Sequence, residues 1–211
     1  MNSLRARVTF FRRMGAIALC VWALACVGCS ENAPKTASGA PKANQFETGR
    51  FALQKMYLSA RLWSPDAQPV NLSSTSTTES NGHDGKSGNW RALFASRSRQ
   101  KSEPFMWTGM ADASRKIDHG VEDTYNPSNR SMQSWDPNFL KVDTDQAFTV
   151  AQQHGGKQLL EKDPNLGVSY LLDFDPLSSQ LRWHVIYGGS GSSGRLTVLV
   201  DASSGEFLRK E

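Results

Sequence analysis

The stretch that decides the fold is Leu181-Arg182-Trp183-His184-Val185-Ile186-Tyr187-Gly188-Gly189. It alternates, so Leu181, Trp183, Val185 and Tyr187 share one face of a strand, and Arg182, His184 and Ile186 share the other. Two neighbouring runs repeat the pattern. In residues 168–174 the alternating set is Val168, Tyr170, Leu172 and Phe174; in residues 195–202 it is Leu196, Val198 and Val200. The segments between them, DPLSSQ (175–180) and GSGSSG (189–194), read as turns, the second long and glycine-rich. Three strands in succession with one apolar face predict an antiparallel meander that needs a helix on that face.

A helix stands immediately upstream. In VDTDQAFTVAQQHGG, Asp143 is placed to cap it and Gln146 follows three residues on, as in a capping box. Ala147, Val150, Ala151 and His154 share a face, and Gly155-Gly156 reads as the C-terminal stop. The same order occurs earlier. In TGRFALQKMYLSARLW, residues Leu53, Met56, Tyr57 and Ala60 form one helical face, Thr48 is the candidate cap, and Pro65 ends the segment. Strand-like runs follow at 89–96 and 104–109, with a short one around 69–73. Trp90 and Trp183 open corresponding strands. The fold expected is α+β, with two helix-plus-antiparallel-sheet units in tandem at 47–110 and 141–211. Residues 73–88 read as a solvated loop, and 111–140 as a long connection in which Tyr125, Pro127 and Trp135 pack down.

The N-terminus sets the compartment. The net charge is +4, and the first 28 residues contain Arg5, Arg7, Arg12 and Arg13 and no acid. Those four arginines account for the whole excess, so the remainder is formally neutral and no nucleic-acid partner is expected. A basic stretch followed by the apolar run MGAIALCVWALACVG is laid out as an export signal over residues 1–28, too short to span a bilayer. It ends in Cys26-Val27-Gly28-Cys29, and a small, polar, proline-containing tether fills the rest of 29–46. Val27-Gly28-Cys29 resembles the lipobox of bacterial lipoproteins, departing from it at Cys26, where leucine is usual; Ala23-Leu24-Ala25-Cys26 is a weaker second frame, its leucine displaced by one position. The resemblance implies cleavage before Cys29, lipidation of its thiol, and a body held at a bacterial membrane outside the cytoplasm (in the periplasm if the cell is Gram-negative). The other cysteines, Cys20 and Cys26, lie in the signal. The body then has no disulfide, thiolate metal site or cysteine nucleophile.

The C-terminal third, in DQAFTVAQQHGG, RWHVIYG and RLTVLVDASSGEF, resembles a PepSY-like domain. Val200-Asp201-Ala202 ends a strand and Ser203-Ser204-Gly205 turns the chain. Asp201 can bond the backbone of its own turn, and Gly205 can take positive φ. The resemblance implies a small extracytoplasmic domain without catalytic residues, with peptide binding or inhibition as its role.

No glycine-flanked serine elbow, HExxH or phosphate loop occurs. His83 with Asp84, and His119 with Glu122 and Asp123, supply too few ligands for a metal, and no metal or cofactor is expected. The expected reading is a non-enzymatic lipoprotein that binds a protein or peptide through Arg182, His184 and Ile186, with Thr197 and Leu199 beside them and the loops 73–88 and 111–139 as fences. The alternatives are an envelope hydrolase using His184 or His154 and a structural envelope component without a discrete ligand.

Overall fold

Every strand run read from the sequence forms a strand in the computed structural model, which describes residues 42–189 and 194–211. Cys29, the export signal, most of the tether and the centre of the 189–194 turn lie outside the described residues. The chain enters through β1 (Glu47–Thr48), which pairs with β3 (Lys86–Ser87), and continues into α1 (Gly49–Trp63). β2 (Gln68–Ser74), β4 (Asn89–Ser96) and β5 (Lys101–Thr108) form the first meander. After the short edge strands β6 (Ile117–His119) and β7 (Asp123–Thr124), the chain enters α2 (Thr144–Ala151) and α3 (Lys157–Lys162). The second meander is β8 (Val168–Asp175), β9 (Gln180–Tyr187), β10 (Leu196–Asp201) and β11 (Phe207–Lys210).

The fold is α+β, and the two helix-plus-sheet units share one sheet. Among the described residues that sheet has nine strands in the order β11-β10-β9-β8-β2-β4-β5-β6, with β7 also on β5. The units meet edge to edge where β2 pairs antiparallel with β8, placing Leu72 opposite Leu172. Outward from this seam the two halves run in matching order, β2-β4-β5 and β8-β9-β10. α1 lies over β2, β4 and β5, and α2 over β9 and β10. One continuous apolar core results: Ala52, Met56 and Ala60 from α1 and Ala147 and Ala151 from α2 join Trp90, Phe94, Leu172, Trp183 and Val185 from the strands.

The helix starts are tied together across the seam. Thr48 makes no side-chain cap bond, contrary to its reading as the cap of α1. Asp143, from the second unit, does that work. Its Oδ1 accepts from Thr144 N at 2.8 Å and from Arg50 N at 2.9 Å, so one carboxylate serves the first turns of both helices. Gln146 completes the capping box by accepting from Asp143 N. An anionic acceptor suits two positive helix ends better than a threonine hydroxyl. Gly49 sits in the same junction, where a Cβ would stand 2.6 Å from the Trp183 ring and 3.1 Å from that of Trp90.

The helical dihedrals break at His154 and Gly155, so Gly155-Gly156 ends the second helix as read, but in a kink that leads straight into another helix and not into a loop. The chain passes through a wide turn at Gln152–Gly156, with Gly155 at φ 113°, and runs on as α3. A side chain at position 156 would collide with the Tyr187 hydroxyl, which accepts from Gln152 Nε2 at 2.8 Å. The glycines here permit a close approach and a kink. His154, on that kink, stacks on Phe207 with ring centroids 3.7 Å apart.

The loops also differ from their sequence reading. Residues 73–88 are no solvated fence: Ser80, Gly82, Gly85 and Ser87 are buried. Tyr170 and Thr144 donate their hydroxyls to Gly82 O and Gly85 O, and Val168 N bonds Asn81 O. The loop therefore packs against the start of α2 and the start of β8. The 111–140 connection adds β6 to the sheet and buries Tyr125 and Trp135, as its aromatics suggested, whereas Pro127, read with them, is exposed. A bulge between Pro69 and Asn71 frees two carbonyls of β2 from the ladder. Trp135 takes both, with its backbone N–H on Pro69 O at 2.9 Å and its indole on Val70 O at 3.0 Å.

Candidate functional site

The sheet face opposite the helices carries the candidate site. Alternation along β9 sends Trp183 and Val185 into the core, both fully buried, and Arg182 and His184 to the other side. The β8–β9 hairpin pairs Asp173 with Arg182 and Asp175 with Gln180. These register positions bring two carboxylates to the two bases. Arg182 donates through Nε and Nη2 to Asp173 Oδ1, each at 3.2 Å, and through Nη1 to Asp175 Oδ2 at 2.8 Å. His184 Nε2 lies 3.0 Å from the same Asp173 Oδ1. One carboxylate oxygen therefore holds both bases.

The network is largely sunk into the surface. Side-chain exposure is 12% for Arg182, 14% for His184 and 34% for Asp173. Burial pushes the Asp173 carboxyl up, but the His184 hydrogen bond and the charges of His184 and Arg182 outweigh it, and the group sits below the ordinary carboxylate range. The Asp175 carboxyl is lowered as well, first by the Leu177 backbone N–H and then by the Ser178 hydroxyl, with Arg182 adding its charge. A fixed arginine flanked by two ionised carboxylates makes a preorganised polar patch.

His184 is not the half-exposed strand residue that alternation suggested: its side chain is largely buried, with Nε2 held on Asp173. Ile186 is no open contact residue either. It is 3% exposed, and Gly194 closes against its side chain. Leu199 is fully buried and Thr197 nearly so. Only the polar part of the expected contact surface reaches solvent. The orienting acid of His184, which the spacing of residues did not reveal, is Asp173. Its signal lay in the hairpin, since folding residues 168–187 about the 176–179 turn puts 173 opposite 182.

The other histidines are held separately. His83 Nε2 is 2.7 Å from Leu166 O. His119 Nδ1 is 2.6 Å from Glu103 Oε1, whereas Glu122 turns away to the Trp63 indole and Arg99. Among the described residues no group of three metal-ligating side chains converges. The turn after β10 is built as read: Asp201 Oδ1 accepts from Ser203 N and Ser204 N, and Gly205 has φ 83°.

No family model matches the chain, and no curated protein matches it. Among solved structures the fold resembles that of a "putative lipoprotein (CD1622)" from Clostridium difficile 630, with a TM-score of 0.51 over 81% of this chain and 96% of that one. The two share 14% identity, so the likeness is one of fold. No helix among the described residues is long and apolar enough to cross a membrane.

Proposed function

We propose that the chain is a bacterial lipoprotein, anchored through Cys29, whose body outside the cytoplasm binds a protein or peptide and performs no covalent chemistry. The anchoring part rests on Val27-Gly28-Cys29 at the end of an export-type segment, followed by a polar tether. The description of the structurally similar clostridial protein as a lipoprotein supports it. The PepSY-like reading of the last third is supported by the Asp201–Gly205 turn, formed as that resemblance requires. The binding part is carried by one observation: a sheet face on which Asp173 holds both Arg182 and His184 by hydrogen bonds, with Asp173 itself partly open to solvent. A face fixed before contact loses little freedom on binding and suits a polar peptide.

Two measurements test the reading. Metabolic labelling with a fatty acid should mark the wild type and miss Cys29→Ser; equal labelling of both proteins overturns the assignment. For binding, partners recovered from envelope extract should be titrated against the wild type and against Arg182→Lys with His184→Gln. The double change keeps hydrogen-bonding groups but breaks the shared Asp173 geometry, and should weaken capture by about 1 kcal/mol or more, an ordinary hot-spot loss. Unchanged affinity with an intact circular dichroism spectrum rejects this face.

A second reading, an envelope hydrolase, is favoured by the Asp173–His184 contact, which resembles the acid–imidazole half of a nucleophilic triad. Hydrolytic activity that disappears in His184→Ala would establish it in place of the binding reading.

A further inference from the structure

The exposed stripe of α1 has an unusual composition. Gln54, Lys55, Leu58, Arg61 and Leu62 are its solvent-facing residues, on one side of the helix. Leu58 is 67% exposed and Leu62 89%. The helix contains Arg50, Lys55 and Arg61 and no acidic residue. Arg50 reaches back to Asp143 and Lys141 O, whereas Lys55 and Arg61 pair with no carboxylate among the described residues. Their contacts are aromatic: Lys55 Nζ lies over the Phe51 ring and Arg61 over that of Tyr57. Isolated exposed leucines are ordinary on a protein surface. Two of them a turn apart, bracketed by unpaired cations with no acid between, form the polar-basic and apolar pattern of a helix lying on an anionic bilayer.

We infer that the outer stripe of α1 rests on the anionic headgroup surface of the membrane that holds the protein's own lipid. The inference builds on the anchored reading. The tether of residues 30–46 ends at β1, directly before α1. Seventeen residues in any conformation span at most about 60 Å, so covalent connection alone keeps the helix near the anchor's own bilayer. A contact made within that covalent reach is intramolecular, so one too weak to hold a free protein can still form. Lys55 and Arg61 supply the attraction to anionic lipid, and Leu58 and Leu62 supply the apolar area that enters the headgroup boundary.

The test uses the full acylated protein in vesicles, with an environment-sensitive fluorophore on Leu62→Cys. A control carries it on Leu177→Cys, which is 82% exposed in the turn between β8 and β9. With about 30% phosphatidylglycerol in phosphatidylcholine, iodide quenching at position 62 should fall about threefold or more relative to pure phosphatidylcholine, as for a side chain seated in the boundary. Quenching at 177 should not change, and Lys55→Glu with Arg61→Glu should restore it at 62. Equal quenching at 62 on both vesicles, or insensitivity to the charge reversal, overturns the inference. Protection of position 62 without any vesicle also overturns it, in favour of self-association. Mass spectrometry of the same protein reads acylation separately. Should Cys29 prove free, the anchored reading fails, and sedimentation of the labelled protein with the anionic vesicles still decides the helix contact.

Discussion

Asp143→Ala should destabilise the whole body, not only the helix it begins. The Asp143 side chain is 10% exposed and accepts two backbone bonds, from Thr144 N in α2 and Arg50 N in α1. Losing an N-cap acceptor costs ~1 kcal/mol at α2. The second N–H, at the start of α1, loses a charge-assisted bond of similar or greater size, ~1–2 kcal/mol. The Arg50 guanidinium, 3.6 Å from Oδ2 and 41% exposed, adds little. The total is about 2–3 kcal/mol, which in a domain of this size lowers Tm by about 4–12 °C. Asp143→Asn keeps an acceptor oxygen at the same place and should recover at least half of the loss. The assay is urea unfolding of wild type and both variants, followed by tryptophan fluorescence and far-ultraviolet circular dichroism. Since Asp143 joins the two units, both probes should report one transition that moves as a whole. The reasoning is refuted if alanine costs no more than a typical single cap, if asparagine is as damaging as alanine, or if the transition splits and only one half moves.

Trp183→Ala should cost roughly 3–5 kcal/mol, because it empties a fully buried site beside Gly49 and orphans Val142 O, to which the indole donates at 2.9 Å. His184→Ala should cost about 1–2 kcal/mol, the price of one largely buried hydrogen bond; denaturant melts in which His184→Ala is the more damaging would mean that the faces of β9 are reversed. The lowered carboxyls of Asp173 and Asp175 bind fewer protons folded than unfolded, so their contribution is complete above the unfolded carboxylate pKa of about 3.9 and is lost as the pH falls through their folded values. Asp173→Asn should therefore flatten the decline of stability between about pH 5 and pH 3, and equal slopes for mutant and wild type in acid titrations would sink that assignment.

Strand after strand, the period of two in residues 89–96, 168–174 and 181–187 determined which side chains enter the core beneath the helices, because alternation is local. The Asp143–Gln146 box and the Asp201–Gly205 turn were legible for the same reason: each is closed by residues a few positions apart. The export-type segment and the lipobox-like Val27-Gly28-Cys29 belong to the sequence alone. What the sequence could not decide is everything that depends on pairing between distant segments. It placed two units in tandem, but only the tertiary structure joined β2 to β8 and made one sheet of them. It offered Thr48 as a cap, while the acceptor came from a residue 93 positions away from Arg50. It exposed Ile186 and half-exposed His184 on an open face. Burial there involves the close approach of Gly194 to Ile186 and of Asp173 across the hairpin, and strand periodicity names a face without saying what covers it.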